Sequence, residues 1–139
     1  MLDRTEIKAI LPHRESFLFV DSISSIVPGE RIEGEFRVKD TELFLAREGE
    51  ARYFPATLLA EAMAQIGAIL VLYPEENRGR TIYFRSIEET AFHRRVSVGS
   101  LIRVDARIQK LRARYGSLGV AAFVGDDLVA RGVMSFALG

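Results

Sequence analysis

The sequence predicts an α+β domain in which one long apolar helix is wrapped by a curved antiparallel sheet. Residues 55–73 are apolar at nearly every position, so a helix there must be covered on most of its sides. Segments rich in β-forming residues stand before and after it, separated by glycine-containing turns. One such sheet covers only part of the helix and leaves a free edge, so we expect the domain to dimerise.

Composition supports a single domain and excludes several kinds of site. The 139 residues fit one domain, 1–139, and 48% of them are hydrophobic, enough for a packed core. The chain has no cysteine, which excludes disulfides, thiolate zinc sites and a cysteine nucleophile. Its two histidines stand 80 positions apart, so we expect no metal or other cofactor.

The same features bear on location and partners. There is no apolar run of about 18 or more residues that would predict a transmembrane helix. The N-terminal residues are charged and amphipathic and lack the plan of a secretory signal. We therefore expect a cytoplasmic protein with neither a membrane nor a nucleic acid as its partner.

The elements before the long helix follow from local signals. Predicted in order are a short helix over 3–10, a strand over 17–27, a second strand over 31–38 and a loop over 39–54. Asp3 can cap the first helix, with Glu6 three positions later as in a capping box. The Pro28–Gly29 pair indicates a turn that joins the two strands into a hairpin.

The elements after the long helix are predicted to be mostly antiparallel strands. Extended segments are expected at 80–88, 90–97, 101–114, 117–124 and 128–138. Glycines at 99, 116 and 125 mark the turns between them. These strands would complete the sheet around the helix.

The long helix carries one polar stripe. Thr57, Glu61 and Gln65 are spaced four residues apart and so lie on one face. A carboxylate in such apolar surroundings must be hydrogen-bonded or paired, and general acid–base catalysis uses groups of this kind. Two interpretations stay open: a catalytic carboxylate, or an ordinary charge on a thin polar edge, facing solvent or a subunit boundary and paired with an arginine.

Three runs of sequence are similar to one known family. The run LPHRESFLFVDSI (11–23) resembles LPHR-x-x-F-L-x-V-D of the 3-hydroxyacyl-ACP dehydratases. The run LLAEAMAQIGA (58–68) resembles their central helix, E-A-x-A-Q, and FHRRVSVGSLI (92–102) resembles F-R-R-P-V-x-P-G-D-x-L. The similarity spans about residues 6–138, in order and with the expected gaps.

This resemblance implies a hot-dog fold and a double hot-dog dimer with sites at the subunit interface. It implies acyl chains carried on the phosphopantetheine arm of acyl carrier protein as substrates. The implied reaction removes water from a 3-hydroxyacyl thioester to give a trans-2-enoyl thioester, in fatty-acid or polyketide-type synthesis. The dimer is expected to be a homodimer, or a heterodimer with a homologous subunit.

The resemblance also assigns residues. Glu61 stands at the family's catalytic acid and Gln65 at the glutamine one turn later. The family's base is a loop histidine, 14 positions before the acid and supplied by the other subunit; that position is Arg47 here. Arginine cannot act as a base at neutral pH. Substrate contacts are expected at Ala56, Thr57 and Phe92.

Three interpretations follow from the missing loop histidine. In the first, Glu61 is a lone base, and Arg47 with the first N–H groups of the helix polarises the thioester carbonyl; hot-dog thioesterases likewise use a helix carboxylate. In the second, the chain is a non-catalytic subunit or an acyl-ACP binder. In the third, His13 or His93 replaces the missing histidine.

Charge is distributed unevenly along the chain. Residues 1–76 hold 8 basic and 14 acidic side chains, whereas residues 77–139 hold 11 and 5. Acyl carrier protein is acidic, so the basic half is expected to include a docking surface, with Arg94, Arg95, Arg112 and Arg114 as candidates. Alternatively, the two halves fold together and their charges mix in space.

Overall fold

The computed structural model describes all 139 residues as two α-helices and nine strands. The helices are α1 (Arg4–Ile10) and α2 (Ala56–Leu72), and a short 3-10 turn covers Glu75–Asn77. The strands are β1 (Ser22–Val27), β2 (Arg31–Arg37), β3 (Ala46–Glu48), β4 (Ala51–Phe54), β5 (Ile82–Phe92), β6 (Val96–Ser97), β7 (Leu101–Leu111), β8 (Tyr115–Val124) and β9 (Asp127–Leu138).

Six strands form one antiparallel sheet, and three form a smaller one. The large sheet has the order β1-β2-β7-β8-β9-β5, and the small sheet has the order β3-β4-β6. Helix α2 lies against β2, β7, β8 and β5 of the large sheet. This is the predicted α+β architecture, a long helix wrapped by an antiparallel sheet, and it is a hot-dog fold.

The cover over α2 is uneven along its length. Every residue from Ala62 to Leu72 is buried, whereas Ala56 and Thr57 at its beginning are exposed. The sheet approaches the helix most closely at Gly67, where an added Cβ would lie 2.7 Å from Cδ1 of Leu118. The helix is thus embedded at its carboxyl end, and its amino end is left accessible.

The first part of the chain confirms some predictions and corrects others. Helix α1 has the predicted capping box, with the Asp3 carboxylate accepting from the Glu6 N–H and the Glu6 carboxylate accepting from the Asp3 N–H. The β1–β2 hairpin is confirmed, with the buried face of β2 as expected. The first strand, however, begins at Ser22 and not at residue 17. Residues 17–19 instead bond to a side chain of α2.

The prediction of a loop over 39–54 was wrong in its second half. Strands β3 and β4 form a hairpin there, and Gly49 adopts a φ of 60° in its turn. Strand β5 also differs from the prediction. Residues 82–92 form one strand, whereas two were expected, at 80–88 and 90–97. Its pairing with β9 shifts register between Glu88 and Ala91, where Glu89 has a φ of 50°. This bulge accounts for the interruption in the sequence pattern.

The large sheet has two outer strands, β1 and β5. Strand β5 carries three exposed apolar side chains: Tyr83, Ile87 and Phe92. Dimerisation through an edge stays a prediction, and this strand offers the apolar edge that it needs. No helix in the structure has both the length and the apolar character needed to cross a membrane.

Candidate active site

Glu61 lies on α2 where the helix passes from its exposed to its buried part. Its side chain is 31% exposed, so the carboxylate is only partly buried. The neighbouring Thr57 is exposed and Gln65 is 1% exposed, so the polar stripe runs from the surface into the core. The carboxylate is therefore accessible on one side and held from within on the other.

Gln65 holds both the carboxylate and the segment that precedes β1. Its Oε1 accepts the Phe19 N–H at 2.8 Å, which identifies the oxygen, because a backbone N–H requires an acceptor. Its Nε2 then donates to the Phe17 carbonyl and to Oε2 of Glu61, each at 2.9 Å. All of the hydrogen bonds of this buried amide are thus used to position its neighbours.

His13 lies beside the same carboxylate oxygen. Its Nε2 is 3.5 Å from Oε2 of Glu61, and its side chain is 30% exposed. Its Nδ1 is buried and has no hydrogen-bond partner. The resemblance had named His13 as a substitute for the loop histidine, but nothing in the sequence indicated a contact between residues 48 positions apart. His93 is exposed, and its backbone N–H bonds to the Val129 carbonyl.

The two oxygens of Glu61 are therefore unequal. Oε2 faces the Gln65 N–H and the His13 ring. A proton on Oε2 would point at the Gln65 donor, so a proton that Glu61 carries belongs on Oε1. Oε1 is thus the oxygen that can exchange a proton with a bound molecule.

Arg47 does not reach this carboxylate within its own chain. It lies exposed in β3, directly opposite Arg52 of β4. The polar contacts of Glu61 are those to Gln65 and His13. Within one chain, Arg47 is therefore neither a base nor the counter-charge of Glu61.

A cavity opens at the amino end of α2. It has a volume of about 320 Å³ and brings together Ala56 and Phe92, two of the three predicted substrate contacts. The other lining residues are Tyr53, Phe54, Leu59, His93, Arg94 and Arg95; Thr57 is not among them. The first N–H groups of α2 have no carbonyl four residues earlier within the helix, so they are potential donors beside this cavity.

The four predicted docking arginines do not form one surface. Arg94 pairs with Asp127 at 3.1 Å, and Arg95 contacts Glu48 and lies 4.4 Å from the centre of the Tyr53 ring. The hydrogen bond that Arg95 donates to the Glu48 carboxylate raises the pKa of Arg95. These two arginines follow Phe92, whereas Arg112 and Arg114 lie in the β7–β8 turn. Both pairs remain candidates, on separate surfaces.

Strand register gives the separation of these two surfaces. Phe92 pairs with Ala130, Ala130 with Ala122, and Ala122 with Val104 of β7. The turn that holds Arg112 and Arg114 begins after Leu111, seven residues farther along β7. At about 3.3 Å per residue, the two pairs are roughly 23 Å apart along the sheet.

An ion-pair cluster fixes the segment that brings His13 to the site. The Glu15 carboxylate lies 2.6 Å from Nζ of Lys8 and 3.4 Å from Nε of Arg4, both in α1. The hydrogen bond from Lys8 is the main reason why the pKa of Glu15 is lowered to about 2. Arg4 also lies 2.6 Å from the Asp21 carboxylate. Helix α1 is thus tied to both ends of the segment between His13 and β1.

Comparison with known proteins shows the family of the chain. A family model described as the FabA-like domain matches residues 11–132. The 3-hydroxyacyl-[acyl-carrier-protein] dehydratase FabZ of Geobacillus thermodenitrificans is 39% identical over 140 residues, which cover 100% of this chain and 97% of the relative. That of Pelotomaculum thermopropionicum is 38% identical over 139 residues, covering 99% of each.

Solved structures share the fold at much lower identity. A chain of the dehydratase heterocomplex ApeI:P from Xenorhabdus doucetiae has a TM-score of 0.82 and 13% identity, over 96% of this chain and 90% of that one. Zebra fish thioesterase superfamily member 2 has a TM-score of 0.73 and 18% identity, over 100% of both chains. A dehydratase complex and a thioesterase superfamily member share this architecture, so the fold alone does not decide the reaction.

Proposed function

Because this chain belongs to the FabA-like family, together with the FabZ 3-hydroxyacyl-ACP dehydratases, we propose that it converts 3-hydroxyacyl-ACP to trans-2-enoyl-ACP. The single observation that carries the proposal is the half-exposed Glu61 carboxylate, fixed through Oε2 by the buried Gln65 amide. A carboxyl group held at one oxygen and open at the other is suited to moving a proton.

The reaction needs one proton removed from C2 and one added to the hydroxyl at C3. In this proposal Oε1 of Glu61 accepts the C2 proton, and the electrons of the broken C–H bond form the C2–C3 double bond. The C3–O bond breaks, and the same carboxyl group returns the proton to the departing hydroxyl, which leaves as water. Atoms and charge balance over the cycle, and Glu61 ends ionised as it began.

Charge develops on the thioester carbonyl as the C2 proton leaves, and it requires donors. The free N–H groups of Ala56 and Thr57 begin α2, one turn before Glu61. Thr57 precedes Glu61 by four residues, which is about 6 Å along the axis. That distance allows one thioester to place its carbonyl at the helix end and its hydroxyl near the carboxylate. Donors that are already oriented where charge develops lower the barrier.

Arg47 belongs to this proposal as a residue of the second subunit. Within one chain it is exposed and makes no contact with Glu61. In a dimer, the β3–β4 hairpin of one chain can extend to the helix of the other and bring the guanidinium to the thioester carbonyl. Arg47 would then stabilise negative charge, which is a role open to a permanently protonated side chain.

The proposed partners are acyl carrier protein and a second subunit of the same kind. The cavity beside Ala56 and Phe92 is bordered by Arg94 and Arg95. These two cationic side chains support docking of an acidic carrier protein at this cavity. The exposed apolar edge of β5 supplies a surface for dimerisation. We propose a homodimer; a heterodimer with a homologous chain is the alternative.

One assay separates the proposed reaction from its alternatives. Purified protein is incubated with a 3-hydroxyacyl-ACP, and both enoyl-ACP and free carrier thiol are measured. We expect enoyl product without free thiol. Free thiol as the main product would identify a thioesterase that uses Glu61. Retained binding of acyl-ACP with neither product would identify a non-catalytic subunit and would overturn the proposal.

A further inference from the structure

We propose that His13 is a positioning residue for Glu61 and presents an N–H on Nε2 to its carboxylate. This assignment deepens the proposed function and rests on it for its catalytic meaning. It differs from the expectation that a histidine replaces the missing base. The observations that carry it are the orientation of the His13 ring and the surroundings of its two nitrogens.

The two nitrogens of His13 face different surroundings. Nε2 lies 3.5 Å from Oε2 of Glu61, whereas Nδ1 is buried with no partner. The negatively charged oxygen of Glu61 attracts an N–H and repels a lone pair, so its position beside Nε2 favours a proton on that nitrogen. Nε2 therefore carries the N–H that faces the carboxylate.

This arrangement excludes His13 as the base. A base would need its lone pair on Nε2, the nitrogen beside the site, and its proton on the buried Nδ1. The ring serves as a donor to Glu61 instead.

His13 is a second donor to the Glu61 oxygen that Gln65 already holds. Gln65 donates to Oε2 over 2.9 Å, and Nε2 of His13 lies 3.5 Å from the same oxygen. The 3.5 Å separation is longer than an ordinary N–H···O bond, and active-site contacts commonly shorten when substrate binds. Two donors on Oε2 fix the plane of the carboxyl group and leave Oε1 free for the substrate. His13 thus sets the direction in which Glu61 moves its proton.

The imidazole nitrogens can be observed directly. Long-range nitrogen–proton correlation spectra of the uniformly ¹⁵N-labelled protein give separate patterns for the two tautomers and for the doubly protonated ring. The chain has only two histidines, so His93→Gln assigns the signals. We expect His13 to show a protonated Nε2. An Nε2 that carries no proton, or an average of both tautomers, would overturn the proposal.

Kinetic measurements on two variants test the donor role of His13 without observing its imidazole protons. Glutamine places an N–H near the position of Nε2, and asparagine places one near Nδ1, so the two are matched variants. We expect kcat to fall about tenfold or more in His13→Asn and to be largely restored in His13→Gln, with KM little changed. Equal loss in both variants, with unchanged circular dichroism, contradicts the donor role.

Turnover by the wild-type protein tests the proposed function, whereas the imidazole spectra test the inference about His13. A wild-type protein that does not turn over 3-hydroxyacyl-ACP defeats the proposed function, whatever the spectra show. A wild-type protein that is active while His13 carries its proton on Nδ1 defeats only the inference about His13.

Discussion

Gln65 donates a hydrogen bond from Nε2 to Oε2 of Glu61 at 2.9 Å, one helical turn along α2. The same amide bonds to the backbone of Phe17 and Phe19, so the carboxylate is joined to the segment that carries His13. The position of the reacting group therefore depends on three parts of the chain that are distant in sequence. The predictions below test these connections one at a time.

Removal of the Gln65 amide should reduce stability as well as activity. Gln65→Leu leaves the Phe19 N–H and the Phe17 carbonyl without their partners, which should lower the free energy of unfolding by about 2–4 kcal/mol. Urea denaturation measures this loss. Thr57→Val on the same helix is the control, since Thr57 is exposed, and its effect should be within about 0.5 kcal/mol. Equal effects in both variants would show that the Gln65 hydrogen bonds to Phe17 and Phe19 do not stabilise the fold.

Arg47 should complement Glu61 across a dimer. We expect Arg47→Ala to reduce kcat by about 10²-fold, the loss typical when a donor to developing negative charge is removed. An equal mixture of Arg47→Ala and Glu61→Gln chains, after subunit exchange, should regain about a quarter of wild-type activity, because one site in each mixed dimer is complete. An Arg47→Ala protein with wild-type kcat, or a mixture that gains nothing, would exclude this role.

The two basic surfaces should contribute unequally to carrier-protein binding. Arg94 and Arg95 border the cavity that holds Ala56 and Phe92, whereas Arg112 and Arg114 lie at the distant turn. Replacing the first pair by glutamate should raise KM for 3-hydroxyacyl-ACP about tenfold and weaken its dependence on salt. The same change in the second pair is the matched control and should have a smaller effect. The opposite order would place docking at the β7–β8 turn.

Acid should weaken the connection between α1 and the His13 segment. The pKa of Glu15 is lowered to about 2 from its ordinary 4.5, chiefly by the hydrogen bond from Lys8. A lowered folded-state pKa gives stability that is complete above pH 4.5 and is lost as the pH falls toward 2. Glu15→Gln should therefore flatten the stability profile in this window, more clearly at low salt.

The control for this measurement is Glu76→Gln, an exposed carboxylate in the 3-10 turn. Thermal unfolding between pH 2 and 5 should show the same slope in Glu76→Gln as in the wild type. If Glu15→Gln also keeps the wild-type slope, the ion pairs with Lys8 and Arg4 do not stabilise the fold.

The sequence was sufficient for the long helix and its polar stripe, because periodicity and proline positions act over short distances. It was insufficient for β3 and β4, which are short, largely exposed and without clear alternation. The start of β1 was predicted too early, because β propensity does not include the long-range hydrogen bonds between the Gln65 amide and residues 17–19. The apolar sequence neighbours of Glu61 did not determine that its side chain would be 31% exposed, because exposure depends on how the rest of the chain packs around the helix.

The contacts that define the candidate site are mostly long-range. His13 was named from a resemblance, but its distance from Glu61 depends on how α1 packs against α2. The separation of the four arginines depends on strand register, which charge counts along the chain do not contain. Local patterns thus identified the reacting carboxylate, while tertiary structure determined what surrounds it.

The most direct test of the account is the turnover of 3-hydroxyacyl-ACP by Glu61→Gln. Glutamine keeps an oxygen that can accept from Gln65, so the fold and carrier-protein binding should be retained while proton transfer is lost. We predict that kcat falls by about 10²–10⁴-fold with circular dichroism and carrier-protein affinity unchanged. A Glu61→Gln protein that forms enoyl-ACP at the wild-type rate would show that this carboxyl group is not the catalyst.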